Sequence, residues 1–306
     1  MASVYTHQSS NVAKTYLLMG LFLMVIVGLG YFISLYYNSP GLLYIAIIFS
    51  LFMNIASFWF SDKIVLSISK ARPVERREFF DLYTVTENLS ITAGLPIPKI
   101  YVIDDPAPNA FATGRDKEHA VVAVTTGLLQ KMERTELEGV IAHELSHIGN
   151  RDILLMSAVV VLVGLISIIS DMFLRGMVFG PTSQGLRGAS GGRDSDRGNI
   201  GGILAIVGIV LIVLSPIIAA LIKLAISRRR EFLADASGAL LTRYPEGLAK
   251  ALEKIESYNM PMKVKSNATA HLFISNPFGN KKASISGLFQ THPPIAERIK
   301  ILREIS

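Results

Sequence analysis

The chain has 306 residues, half of them apolar and only 18% charged, with a mean hydropathy of +0.43, which excludes an ordinary soluble enzyme. Its formal charge of +6 comes with no basic patch interleaved with aromatics, so it reads as charge held near anionic lipid rather than a nucleic-acid footprint. Cysteine is absent, which removes disulfides and thiolate metal ligands and leaves the compartment open.

Four apolar runs account for the hydropathy: Thr15–Tyr37, Pro40–Phe60, Ile153–Leu174 and Ile200–Ile226. Each exceeds the roughly 20 residues that cross a ~30 Å hydrocarbon core as a helix, and charges occur only near the ends of the runs, at Asp171 and Lys223. The first run has no small-x-small cleavage site at Tyr37-Asn38-Ser39-Pro40, so it reads as a retained helix and not a signal peptide. Lys63, Lys70, Arg72, Arg76 and Arg77 follow the second run, and Arg228, Arg229 and Arg230 follow the fourth. Positive charge on that side places both termini and the long middle segment in the cytoplasm. Arg175, Arg187, Arg193 and Arg197 pull mildly the other way, diluted by Asp194 and Asp196. The expected plan is two transmembrane helices in residues 1–60, half of a soluble domain in 61–152, a transmembrane hairpin in 153–226 around an extracytoplasmic loop at 175–199, and the second half of the domain in 227–306.

Within the soluble parts, Val74–Ala93 has a helical apolar period that stops at Gly94, and Lys99–Ile103 and His119–Thr125 read as strands. Between them Asn109-Ala110-Phe111-Ala112-Thr113-Gly114 suits a short strand at a sheet edge, where an extended peptide can add itself; an ordinary turn before a hairpin fits equally well. His143-Glu144-Leu145-Ser146-His147 then spells H-E-x-x-H on a helix whose apolar stripe includes Leu137, Val140, Ile141 and Leu145, with Thr135 and Glu138 as a capping box. Imidazoles four residues apart point from one helical face, at the separation that grips a single Zn²⁺, and Glu144 projects toward the open side of the metal. One class of zinc proteases continues this motif with Gly and a third His; Asn150 and Ile153 stand at those offsets and exclude it. Glu231 and Asp235, four apart on one helical face, offer a third ligand and a carboxylate for the free nitrogen of a ligating His. The alternative is a charged helix start paired with Arg228–Arg230. Because the third and fourth apolar runs form an antiparallel pair, they deliver both motifs to one membrane face, which favours the ligand reading. Pro245–Tyr258 is an amphipathic helix, Ser266–Leu288 a loop rich in Asn, Gly and Ser and a candidate lid, and Pro293–Ile305 a closing helix. From the residues alone, His292 reads as a capping residue and Arg298 as a solvated charge.

These motifs, with Arg230-Glu231-Phe232-Leu233-Ala234-Asp235 and Thr291-His292-Pro293-Pro294 in that order, resemble the HtpX membrane metalloproteases, relatives of the type I CAAX prenyl proteases. The resemblance covers nearly the whole chain. It implies an α/β membrane protein: four transmembrane helices and a zincin-like cytoplasmic domain with a small sheet. It implies one Zn²⁺ per chain on His143, His147 and Glu231, with Glu144 as general base and Asp235 behind a ligand. His292 would stabilise the transition state, while Asn109, Ala110, Phe111, Ala112 and Arg298 would meet substrate. The function it implies is endopeptidase cleavage of misfolded or damaged membrane proteins, in stress response at the bacterial inner membrane. Four apolar runs suit this branch and not the longer seven-helix CAAX enzymes. Three rivals stand beside this reading. A silent scaffold is opposed by the intact Glu144; a transporter would carry ionisable groups or broken helices at mid-membrane, and here Pro216 and the Gly of the fourth run read as a kink in an over-long span. A zinc hydrolase of some non-peptide bond fits the motifs equally.

Overall fold

A computed structural model describes residues 4–164, 227–258, 260–266, 268–279 and 293–305 of the chain. The chain opens with two long helices, α1 (Val4–Tyr36) and α2 (Pro40–Ile68), the second entered through Pro40 at its first turn. Both are long and apolar enough to cross a membrane, with mean hydropathies of 2.4 and 2.0 over their apolar stretches. Leu17, Phe32, Ile45 and Phe52 are exposed on them, so their outer surface suits lipid and not water. α2 does not stop where the apolar run ends at Phe60. Asp62 and Lys63 lower the hydropathy without breaking the helix, and Ser61 before them and Val65 and Leu66 beyond them are buried.

A four-stranded sheet follows: β1 (Arg72–Pro73), β2 (Lys99–Ile103), β3 (Ala110–Thr113) and β4 (Val121–Thr125), in the order β1-β2-β4-β3. β2 runs parallel to β4, while β3 pairs antiparallel with β4 as a hairpin and forms one edge. α3 (Phe80–Ala93) precedes β2; it starts later than the apolar period suggests and closes on Gly94 at φ 64°, a left-handed cap that glycine adopts without strain. After β4 come α4 (Thr126–Lys131), α5 (Arg134–Gly149) and α6, described over Asp152–Gly164. α7 (Arg228–Thr242), α8 (Pro245–Ser257) and α9 (Ile295–Glu304) complete the described chain. The expected cap of α5 is displaced: Glu133 is the N-cap and exchanges hydrogen bonds with Glu136, two residues ahead of the Thr135–Glu138 pair. A carboxylate caps as well as a hydroxyl, and it adds negative charge at the positive end of the helix dipole.

Alternation along the strands sends side chains into two separate cores. Val102, Ala110, Ala112, Val122 and Val124 face a core shared with α3, α5 and α8. Phe111, Val121 and Ala123 face the other, built with Leu18 and Phe22 of α1, Val65 of α2, and Leu155, Val159 and Leu162 of α6. Membrane-type helices thus supply the second layer over the sheet. The described start of the third apolar run is wholly inside this layer. The fourth run, the loop at 175–199 and His292 lie outside the described residues.

Candidate metal centre

α5 places His143, Glu144 and His147 on its inner side, all buried. α7 crosses it at Gly238, where a Cβ would come within 3.0 Å of the His143 backbone nitrogen; this close approach brings Glu231 and Asp235, on earlier turns of α7, against the imidazoles. One ligand atom each from His143, His147 and Glu231 can be chosen so that all three lie within 4.8 Å of one another. The two Nε2 atoms are 3.2 Å apart, and the Glu231 oxygens lie 3.8 Å from His143 Nε2 and 3.6 Å from His147 Nε2. Tetrahedral zinc with Zn–N bonds of about 2.0–2.1 Å sets two nitrogen donors about 3.3 Å apart, so the donor set fits such an ion.

Each imidazole has a carboxylate behind it. His143 Nδ1 lies 2.9 Å from Asp235, whose other contacts are with Arg298 at 2.7 and 2.8 Å. Donating Nδ1–H to Asp235 leaves Nε2 with its lone pair toward Glu231. The 3.4 Å approach of Arg298 Nη2 to that Nδ1 is then a contact between two donors and not a bond. Arg298 is completely buried, so it is no solvated charge. It also faces Glu231 at 3.8 Å and donates to the Ile274 carbonyl at 3.3 Å. Burial would raise the Asp235 carboxyl, but the charge and hydrogen bonds of Arg298 together with His143 outweigh it and hold the group down at about 2. At His143 burial, with the nearby charges of Arg298 and His147, prevails over Asp235 and lowers its pKa, toward the neutral imidazole a metal needs.

Behind His147 the partner is Asp152, at 2.9 Å from Nδ1. Here burial is outweighed by Asp152, Glu231 and Glu144, and the imidazole rises to about 9. Asp152 was not foreseen from the sequence. A straight helix never brings side chains five residues apart together, but α5 and α6 meet at 84°, through Arg151 in the left-handed region at φ 57°. The readable signals were an Asp opening an apolar run and the Asn150-Arg151 pair ahead of it. Glu144 is pushed up to about 7, chiefly by burial, and accepts a hydrogen bond from the Ala112 backbone.

That bond locates the edge strand. In the β3–β4 ladder Asn109 O accepts from Thr125 N, so the peptide groups of Ala110 and Ala112 point away from β4. On this outer side Ile274 N donates to Ala110 O at 2.9 Å. The Asn109 side chain closes a ring with Ser275, donating to its carbonyl at 3.0 Å and accepting from its N–H at 3.2 Å. Phe273 packs edge-on against Phe111 at 5.1 Å, on the far face of the sheet. The predicted edge therefore exists, but residues 273–275 of the same chain lie along its Asn109–Ala110 end.

Residues 76–306 match the model of peptidase family M48. The proteins called Protease HtpX homolog from Caldanaerobacter subterraneus subsp. tengcongensis and Thermoanaerobacter pseudethanolicus are each 48% identical over 99% of this chain and 98% of their own. That of Thermococcus sibiricus is 46% identical over 96% and 95%. Among solved structures, the crystal structure of S. mikatae Ste24p aligns with a TM-score of 0.50 at 21% identity, over 95% of this chain and 64% of that one, a likeness of fold alone. With the family model spanning the domain and near-full-length relatives at this identity, the chain belongs to peptidase family M48 and is an HtpX-like membrane metalloprotease.

Proposed function

We propose that the protein is a zinc endopeptidase that hydrolyses peptide bonds of misfolded or damaged membrane proteins from the cytoplasmic face of the bilayer, as part of quality control under stress at the bacterial inner membrane. The observation that carries the chemistry is the convergence of His143, His147 and Glu231 within 4.8 Å, with Glu144 beside them and a carboxylate behind each imidazole. His143, His147 and Glu231 would hold the ion, one per chain. When bound, zinc supplies Lewis acidity that acidifies a water and polarises the scissile carbonyl.

The remaining work belongs to this chain. Glu144 takes the proton of the attacking water and returns it to the leaving nitrogen; a buried carboxyl near neutrality suits both directions of transfer. Asp235 and Asp152 hold the imidazoles in the tautomer that presents Nε2. Arg298, spent on Asp235 in a buried pair, is a positioning group rather than a substrate contact. His292, ahead of α9, is the donor to the oxyanion; this role rests on the family resemblance. Substrate adds in extended form to the outer edge of β3, with the peptide groups of Ala110 and Ala112 and the side chain of Asn109 as its partners. Phe111 fixes the strand from the opposite face. Residues 273–275 occupy the Asn109–Ala110 end of that edge and must leave before a substrate strand can pair there.

Support for the cytoplasmic side is the positive charge that follows α2 and that opens α7 after the fourth apolar run, and apolar surface on α1 and α2 accounts for a bilayer partner. The chemistry is tested on the detergent-purified protein, by zinc content and chelator-sensitive cleavage of an unfolded protein. Glu144→Ala should retain stoichiometric zinc and lose cleavage, while Glu231→Ala should lose both. Zinc lost from Glu144→Ala would overturn the role of Glu144 as base, and wild-type zinc affinity in Glu231→Ala would overturn that of Glu231 as ligand. Orientation is tested separately, since a lone Cys at Ser257 should resist a membrane-impermeant thiol reagent until the membrane is opened.

A further inference from the structure

The first membrane helix reaches the metal centre. α1 turns one face inward, with Asn11, Thr15, Leu18 and Phe22 buried at helical spacing. Leu18 and Phe22 pack in the core with α6, but above them the contacts are polar and specific. Asn11 Nδ2 donates to Asp152 Oδ1 at 2.7 Å and lies 3.1 Å from the Asn150 carbonyl, while its Oδ1 faces Arg230 at 3.5 Å. One turn earlier, Gln8 donates to the Gly149 carbonyl at 2.6 Å. The end of α5 and the start of α6, where the chain turns sharply after His147, are thus tied to α1 by side-chain amides.

We propose that Asn11 is a positioning residue for the metal ligand His147, acting through Asp152. This rests on the reading of His147 as a ligand. A carboxylate steers an imidazole only if it is itself held. Asp152 Oδ2 takes the His147 Nδ1–H, so its rotation is set by what Oδ1 binds. Asn11 supplies a neutral N–H there at 2.7 Å; the charged neighbour, Arg230, stands back at 3.7 Å. Without Asn11 the carboxylate is drawn toward Arg230, and the lone pair of His147 Nε2 swings off the point where it meets those of His143 and Glu231. Asn11 lies well ahead of residue 76, where the match to the family model begins, so a segment outside the recognised protease domain helps to build its site. Gln8 ties α1 to the same turn without touching Asp152, which makes it the natural control.

The test titrates the full-length protein in detergent, stripped of metal, with Co²⁺, reading the visible absorption bands that report ligand geometry, and with Zn²⁺ against a chelator. Loss of a carboxylate behind a ligating His typically costs about 10–100-fold in metal affinity, and Asp152→Ala should fall in that range. Asn11→Ala, one step further out, should cost about 3–10-fold and alter the Co²⁺ spectrum. Gln8→Ala should stay within about twofold of wild type. The decisive measurement is the double variant. If Asn11 acts through Asp152, Asn11→Ala together with Asp152→Ala binds no more weakly than Asp152→Ala alone. Losses that multiply, or an Asn11→Ala affinity equal to wild type in folded protein, would overturn the proposal. Should Asn11→Ala fail to fold, Asn11→Asp keeps the volume and the approach to Arg230 while setting an acceptor against Asp152; its metal affinity should fall at least as far, and wild-type affinity would again overturn it. His147→Ala separates the underlying reading, because wild-type metal affinity in that variant would remove His147 as a ligand whatever Asn11 does.

Discussion

His143 and His147 stand one helical turn apart on α5, yet carboxylates from different helices, with different counter-groups, hold them. Behind His143, Asp235 of α7 is locked by Arg298 of α9, a fully buried pair contributed by the C-terminal half of the domain. Behind His147, Asp152 of α6 is held by Asn11 of α1, from the apolar helices, and approached by Arg230 at the start of α7. The counter-groups differ in kind, and the histidines differ with them. Burial, joined by the charges of Arg298 and His147, outweighs Asp235 and keeps His143 neutral, whereas at His147 burial is outweighed by Asp152, Glu231 and Glu144 together, which favour the charged form. Two carboxylate–imidazole pairs of the same geometry thus have opposite electrostatics. The charges around each pair matter as much as the carboxylate itself.

The largest loss is expected on the His143 side. Arg298→Ala leaves Asp235 charged and buried without its cation, with Glu231 nearby, and loss of one partner of a buried pair typically costs about 3–5 kcal/mol. Unfolding of this variant, by denaturant or heat in detergent, should show a loss of that order. Arg230→Ala should cost distinctly less, since Asp152 keeps hydrogen bonds to Asn11 and His147. Equal losses would mean that the two carboxylates are held alike.

A smaller effect separates the two imidazoles by pH. In protein stripped of metal, the folded pKa of His147 stands at about 9 against an ordinary 6.5. Its pairing therefore contributes stability that is fully present below pH 6.5 and is lost as pH rises through about 9. Metal affinity moves oppositely, because the proton must leave before Nε2 can ligate: it should rise about tenfold per pH unit across that window and level off above it. His143, already neutral, should add nothing to the slope there. A pH-independent affinity over the window would show that His147 carries no extra proton. Asp152→Ala should flatten the slope and Asp235→Ala should not.

The same division governs what the sequence discloses. The H-E-x-x-H helix, the strands, and the Glu231–Asp235 pair were legible because each is written in local periodicity, and the structure adds only the crossing at Gly238 that brings them together. Arg298 was legible only through the family resemblance, since no local pattern distinguishes a buried Arg on a short amphipathic helix from a solvated one. Asp152 and Asn11 were hidden for different reasons. One depends on a left-handed residue that redirects the chain, and the other sits at the head of an apolar run where a lone Asn has no partner in sequence. The expected edge strand was legible as well; what was not is that the loop expected over 266–288 supplies residues 273–275 as its neighbour. Backbone pairing leaves no mark in side-chain pattern.

The smallest expected effect concerns that neighbour, which rests on the His143 side through the Ile274 carbonyl on Arg298. Ser275→Pro removes the N–H that Asn109 Oδ1 accepts while leaving Phe273 and Ile274 in their cores. A net hydrogen bond is worth about 0.5–1.5 kcal/mol, so the fraction of molecules with the β3 edge open should rise by about 2–10-fold. If substrate can pair only with the open form, apparent affinity scales with that fraction. The variant should then cleave an unfolded protein with kcat/KM raised by about the same factor, acting through KM, with zinc affinity and the pH slope of His147 unchanged. A rise in activity joined to weaker zinc binding would place the effect at Arg298 and His143 rather than at the edge. Unchanged or lower kcat/KM, in protein of wild-type stability, would mean that substrate reaches the site without displacing residues 273–275.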